Sequence, residues 1–226
     1  MTAVVPPART VVALLPVQRL TRFEDGRELH AVLWRAGQGW RMISSAVLGG
    51  GIGERNWILN AQVAHGYQRT DPDRHLADLA RAAGLQGTGV GLMTAADVSR
   101  PGLARDGGVE AVATSGISVR GWAASPDDGA RTPAGPGTIN IVTVLPVALS
   151  DAALVNAVAT ATEAKVQALL DLGHDCSGTP TDAVCVAARA PQPGDEVHAF
   201  AGPRSPWGAR LARAVHTAVR EATPAP

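Results

Sequence analysis

Four strand-like segments crowd into the first 64 residues, and no other feature constrains the fold as tightly. They are residues 10–17 (TVVALLPV), 28–35 (ELHAVLWR), 39–50 (GWRMISSAVLGG) and 55–64 (RNWILNAQVA), the last two split by the glycine-rich GGGIG. Each is an apolar or alternating run bounded by turn residues. Strands joined by such short connections pair antiparallel, because parallel neighbours need a long crossover. The chain therefore begins with sheet, not with a helical bundle.

Helical signals come later and are cleanly punctuated. Asp71-Pro72 opens a helix with Leu76, Leu79, Ala80 and Ala83 on its apolar face, and Gly84 ends it. TGVGLMTAAD (88–97) and EAVATSGIS (110–118) read as strands. Residues 123–137 (AASPDDGARTPAGPG) carry almost nothing to bury and read as a mobile surface loop, with a role as lid over a large ligand left open. Strand material resumes in TINIVTVLP (138–146). Ser150 caps the longest helix, over 151–171, which Gly173 closes. DAVCVAARA (182–190) is a further strand, and Ser205-Pro206 starts a last helix running to Glu221. The expectation is an α+β fold in a single domain over 1–226: a mostly antiparallel or mixed sheet covered by three main helices, with 221–226 as a frayed tail.

Charge excludes some functions. Formal net charge is zero and the pI is near 7.0, so the basic footprint of a nucleic-acid or anionic-lipid binder is missing. No apolar run approaches the roughly 18–20 residues of a membrane span. The N-terminus has no basic start and carries prolines, which makes a poor secretory signal and points to the cytoplasm. There Cys176 and Cys185 are expected as free thiols. Lys165 is the only lysine in an arginine-rich chain, and lysine, unlike arginine, can lose its proton when buried.

Familiar motifs are absent. GGGIGE lacks the Lys-Ser/Thr ending of a phosphate loop, and Asn56 stands where GxGxxG needs its third glycine. HExxH, GxSxG and CxxC do not occur. The histidines are scattered; His75 and His216 fall on polar helix faces and read as surface residues. No metal site is visible, and none is expected.

The helix over 151–171 says more. At about 100° per residue, Leu154, Val158, Ala161, Lys165, Ala168 and Leu169 share one stripe, and Asn156, Thr160, Glu163 and Gln167 lie opposite. Lys165 is either a snorkelling side chain or a partly buried amine with a role in chemistry. Glu163 is either solvated or a second titratable group. Three further segments are polar where strands should be monotonous. Thr138 and Asn140 share one strand face. Ser177, Thr179, Thr181 and Asp182 crowd the turn before a strand. Gly202, Ser205 and Gly208 surround a helix start whose free N–H groups could hold an anion or a carbonyl oxygen. Turn and cap chemistry explains each alone. Together they predict one cleft, with the Lys165 ammonium buried against Asp182.

MISSAVLGGG, VGLMTAADV, GTINIVTVLP, ALVNAVATATEAKVQAL, SGTPTDAVCVAA and FAGPRSPWG resemble, in order from Ser44 to Gly208, the adenosylcobinamide amidohydrolases (the CbiZ family). GTINI, TATEAK and the TPTDAV run are the most specific pieces. Two positions depart from the family pattern: Pro180 in the threonine-rich turn, and Phe200 where tyrosine is usual. The resemblance implies hydrolysis of the amide joining the aminopropanol arm to the corrin ring of adenosylcobinamide, giving adenosylcobyric acid for cobamide salvage. A cobalt corrinoid would be the substrate, with no cofactor required; complete cobamides are a related substrate, and self-association is left open. Within the matching motifs, Lys165, Glu163 and Asp182 are the candidate catalytic residues. Thr138, Asn140, Thr179, Thr181, Gly202, Ser205 and Gly208 are the candidate substrate contacts. The nucleophile could be threonine, serine or an activated water. The competing class is a non-catalytic corrinoid-binding or delivery protein with the same body.

Overall fold

The computed structural model describes residues 13–126 and 137–226. Its strands divide between two sheets. The first holds β1 (Gln18–Glu24), β2 (Arg27–Arg35), β5 (Trp57–Gln62) and β6 (Val90–Thr94), in that order. The second runs β4 (Gly51–Glu54), β3 (Trp40–Ser44), β10 (Ala183–Arg189), β9 (Gly137–Leu149), β8 (Val109–Ile117) and β7 (Gly102–Asp106). The short β11 (Val197–His198) lies beside the C-terminal end of β9. Helix α1 (Pro72–Ala82) packs on the outer face of the first sheet through Leu76 and Ala80. Helices α2 (Asp151–Asp171) and α3 (Pro206–Ala222) cover the outer face of the second. The α+β class, the three helices and the mixed pairing are as expected; the division into two facing sheets is what the periodicity did not show.

Side-chain alternation along β9 explains the layering. Ile139, Ile141 and Leu145 face α2 and α3, while Val142 and Val144 face the first sheet against Val32, Ile58 and Leu92. A strand apolar on both faces has to be central, and β9 is. Most neighbours pair antiparallel, but β5 with β6, β9 with β10 and β9 with the short β11 are parallel. Helix α1 lies in the crossover from β5 to β6, and α2 in the connections from β9 to β10 and β11, the long links that parallel pairing needs.

Several elements differ from the sequence reading. Residues 13–17 are not a strand; the edge strand is β1, whose exposed polar residues hide its alternation. The glycine-rich piece is not a break, since Gly51–Glu54 forms edge strand β4 against β3. Strand β7 went unread because its five residues, GLARD, hold one exposed leucine between small residues and end on two charges at the sheet edge. Asp71 precedes α1 but makes no side-chain cap bond; Arg69 holds its carboxylate instead. Thr160 is buried rather than solvated, donating to the Ala201 carbonyl at 2.8 Å, because α2 is covered by α3 and its leading segment as well as by the sheet. His75 is likewise buried, not on the surface. The proposed lid over 123–137 lies mostly outside the described residues.

Candidate functional site

The N-terminal ends of β9 and β10 carry a buried ion pair. Lys165, in the third quarter of α2, is 7% exposed, and its ammonium donates to Asp182 Oδ2 at 2.5 Å. Asp182 stands at the last turn position before β10. Its other donors are Thr179 N to Oδ2 at 3.1 Å, Ile139 N to Oδ1 at 2.8 Å and Thr179 Oγ1 to Oδ1 at 2.5 Å. A carboxylate with four donors is fixed in orientation. Gly178, at φ +148°, makes the close approach feasible: a side chain there would collide with both the Asp182 carboxylate and the Lys165 ammonium. The helix stripe thus placed Lys165 correctly, and Asp182 is its partner as expected.

Beside this pair lies a hydroxyl cluster. Thr138 Oγ1 and Thr181 Oγ1 are 2.6 Å apart, and both lie within donating distance of the Gly137 carbonyl, at 2.8 and 3.0 Å. Each hydroxyl has one hydrogen. With one donating to Gly137, which also lies 2.9 Å from the Thr179 hydroxyl, and the other donating to its neighbour, both hydrogens are used inside the cluster and the pair offers acceptors outward. Thr138, Thr181 and Asp182 line a cleft of about 620 Å³, together with Ser45, Tyr67, Arg69 and Thr94. Ala46, Val47, Val63, Pro72 and Leu92 give it an apolar flank. Lys165 is not on the cleft wall; it stands behind Asp182.

The other candidates separate. Asn140 is 1% exposed between the sheets, where its Nδ2 donates to Asn60 Oδ1 at 2.8 Å and to the Met93 carbonyl at 3.1 Å. It braces Met93, a cleft residue, without reaching the cleft. Glu163 is exposed on the far side of α2, as a step of two residues from Lys165 requires. Gly202, Ser205 and Gly208 do not join the site. His198 pairs with Leu149 at the opposite end of β9, and Ala201 N donates to Asn156, roughly 13 Å down the α2 axis from Lys165. Ser205 is a helix cap accepting from Gly208 N. Gly208 is there because a side chain would strike the Ala201 and Gly202 carbonyls. Ser205→Ala is therefore expected to cost about 1 kcal/mol of stability and leave turnover unchanged, which thermal unfolding and an activity assay on the same sample would check. Phe200 is 74% exposed at that same end, so a phenol missing there takes nothing from the cleft.

Ser45, Tyr67 and Thr94 were missed as site residues. They come from connections or strand ends of the first half of the chain, and nothing in their local pattern distinguishes them from turn residues. Both cysteines are buried and free. Complete burial pushes the Cys185 thiol up to about 12, and burial raises Cys176 as well. Neither is expected to react with a thiol reagent at neutral pH until the protein is unfolded, as a timed colorimetric titration would show. Among the described residues no group of three or more His, Cys, Asp and Glu gathers, and no helix is long and apolar enough to cross a membrane.

Fold and site together define an α+β protein of two facing sheets with a cleft, hydroxyl-lined on one wall and apolar on its flank, at the ends of central parallel strands. Over residues 16–225 the chain matches the adenosylcobinamide amidohydrolase family, and it belongs to that family. An adenosylcobinamide amidohydrolase of Methanosarcina mazei is 36% identical over 143 residues, 63% of this chain and 67% of the relative. Another, of Halobacterium salinarum, is 39% identical over 133 residues, 57% of this chain and 56% of the relative.

Proposed function

We propose that this protein hydrolyses the amide between the aminopropanol arm and the corrin ring of adenosylcobinamide, releasing aminopropanol and adenosylcobyric acid for cobamide salvage. The observation that carries the reading is the Thr138–Thr181 acceptor pair on the wall of the cleft, fixed from behind by the Asp182–Lys165 pair, in a chain of this family. Amide hydrolysis needs a water or hydroxyl held against the carbonyl carbon and a proton for the leaving nitrogen. Two hydroxyl oxygens with spent hydrogens can accept from a water and orient its lone pair. Asp182 acts here by position, with both carboxylate oxygens engaged by protein donors. It fixes Thr179 and the 177–182 turn, and through them Thr181. Lys165 holds that carboxylate in place from behind.

Cleft size supports the substrate class. Pockets of roughly 300–1,000 Å³ enclose a drug-sized ligand, and a corrinoid is larger. The amide arm would enter while the ring lies across the rim, where Val47 is 53% exposed. Incubation of the purified protein with adenosylcobinamide, followed by detection of free aminopropanol, tests the reading. Tight corrinoid binding without aminopropanol release would reject it in favour of a binding or delivery protein.

A further inference from the structure

Tyr67, at the cleft wall, begins a chain of hydrogen bonds that the hydroxyl cluster does not use. Its hydroxyl lies 3.0 Å from His75 Nδ1, and His75 Nε2 lies 3.1 Å from Glu24 Oε1. Three elements meet here: the segment after β5, helix α1 and the end of β1. His75 is 4% exposed, and the rings of Tyr67 and His75 are nearly parallel, with centroids 5.6 Å apart. The other oxygen of Glu24 accepts from Arg22 Nε at 3.0 Å, which fixes the carboxylate.

The direction of these bonds follows from the donor inventory. An ionised carboxylate only accepts, so Nε2 of His75 carries a hydrogen toward Glu24. In the neutral ring Nδ1 is then an acceptor, and the Tyr67 O–H must donate to it. The lone pairs of the phenol oxygen remain for the cleft, on the wall shared with Thr138, Thr181 and Asp182. A hydroxyl, an imidazole and a carboxylate in this order form a proton relay.

We infer that Tyr67 is a catalytic acid–base residue, with His75 and Glu24 as the positioning residues behind it; the inference rests on the amide-hydrolysis reading above. Water attacks the amide carbon. One water proton passes to the Tyr67 oxygen as the Tyr67 hydrogen moves to His75 Nδ1, and Glu24 stabilises the imidazolium. The tetrahedral adduct then breaks its C–N bond. His75 returns its Nδ1 hydrogen to Tyr67, and Tyr67 delivers its own to the leaving nitrogen. One water is consumed, a carboxylic acid and an amine form, and the relay ends as it began. This supplies the proton donor that the threonine pair, presenting only acceptors, cannot.

Tyr67 is the only tyrosine in the chain, so the near-ultraviolet absorbance of phenolate reports this one residue. Burial raises its ionisation above the ordinary value; Arg69 opposes, while Asp71 and Glu24 add to it. His75 faces the hydroxyl directly. Two measurements test the relay, each on the full chain. In Glu24→Gln and His75→Phe, the phenol should ionise at lower pH than in the wild type, because the charge behind the relay or its acceptor is gone. In Tyr67→Phe, which keeps the ring, kcat for aminopropanol release should fall about 100-fold with KM nearly unchanged, and Glu24→Gln should lower kcat about tenfold. If the wild type hydrolyses adenosylcobinamide and Tyr67→Phe stays within about twofold in kcat, the relay is overturned and the functional reading survives. If the wild type releases no aminopropanol, the functional reading fails and the catalytic role of Tyr67 with it. An unmoved phenol titration in both Glu24→Gln and His75→Phe overturns the relay whatever the activity.

Discussion

Asp182→Asn is expected to destabilise the protein by about 3–5 kcal/mol, far more than Lys165→Met. The asymmetry comes from what each change leaves behind. Asp182 has four donors, and without Lys165 it keeps two backbone N–H groups and the Thr179 hydroxyl. Lys165 has Asp182 as its one partner among the described residues, and at 7% exposure it has little water to turn to. An amide in place of the carboxylate strands a cation in a site packed against Gly178. Urea unfolding of the two single variants and of Lys165→Met/Asp182→Asn checks this. The double variant should be more stable than Asp182→Asn, since it removes the stranded charge. A loss below about 1 kcal/mol in Asp182→Asn would show that the pair behaves as a surface ion pair and does not anchor the site.

Lys165→Arg is expected to fold yet lose most activity, by about 100-fold or more in kcat. A guanidinium is planar and broad, and the space for Nζ lies under the bare backbone of Gly178, with the Asp182 carboxylate held by its other donors. To fit, the carboxylate or the 177–182 turn has to move, and Thr181 moves with it. Lys165→Met should lose less, because Asp182 keeps its two backbone N–H donors and the Thr179 hydroxyl and the volume is roughly kept. Measuring aminopropanol release alongside far-ultraviolet circular dichroism separates a displaced site from an unfolded one. Near-wild-type turnover in Lys165→Arg would mean that any cation serves and that the role is structural.

Much of the candidate site was legible because its parts obey local rules. The stripe on α2 put Lys165 inward and Glu163 outward by periodicity alone. The turn before β10 advertised itself by packing three hydroxyl residues and an aspartate where a strand begins. Family resemblance in the same segments pointed to the same residues. The helix start at 202–208 misled for a related reason. Its serine and glycines are there for a cap and a close approach, and locally these look the same as an anion site. Asn140 misled differently: strand alternation gave its face correctly, but that face proved to be covered by another sheet.

The Tyr67–His75–Glu24 arrangement shows where local reading stops. His75 lies on a short helix among charged residues, and its neighbours in sequence make it look exposed. Its burial comes from Tyr67, stacked on the ring, and from the end of β1, some fifty residues earlier in the chain. Helix boundaries, the cap at Ser150 and the inward lysine were determined by the sequence itself, because each depends on residues within a few turns of one another. Which strands share a sheet, that two sheets face each other, and which polar side chains meet at the cleft were decided only by tertiary structure. Those contacts join residues that no periodicity relates, and they form only when the chain buries the apolar faces between its layers.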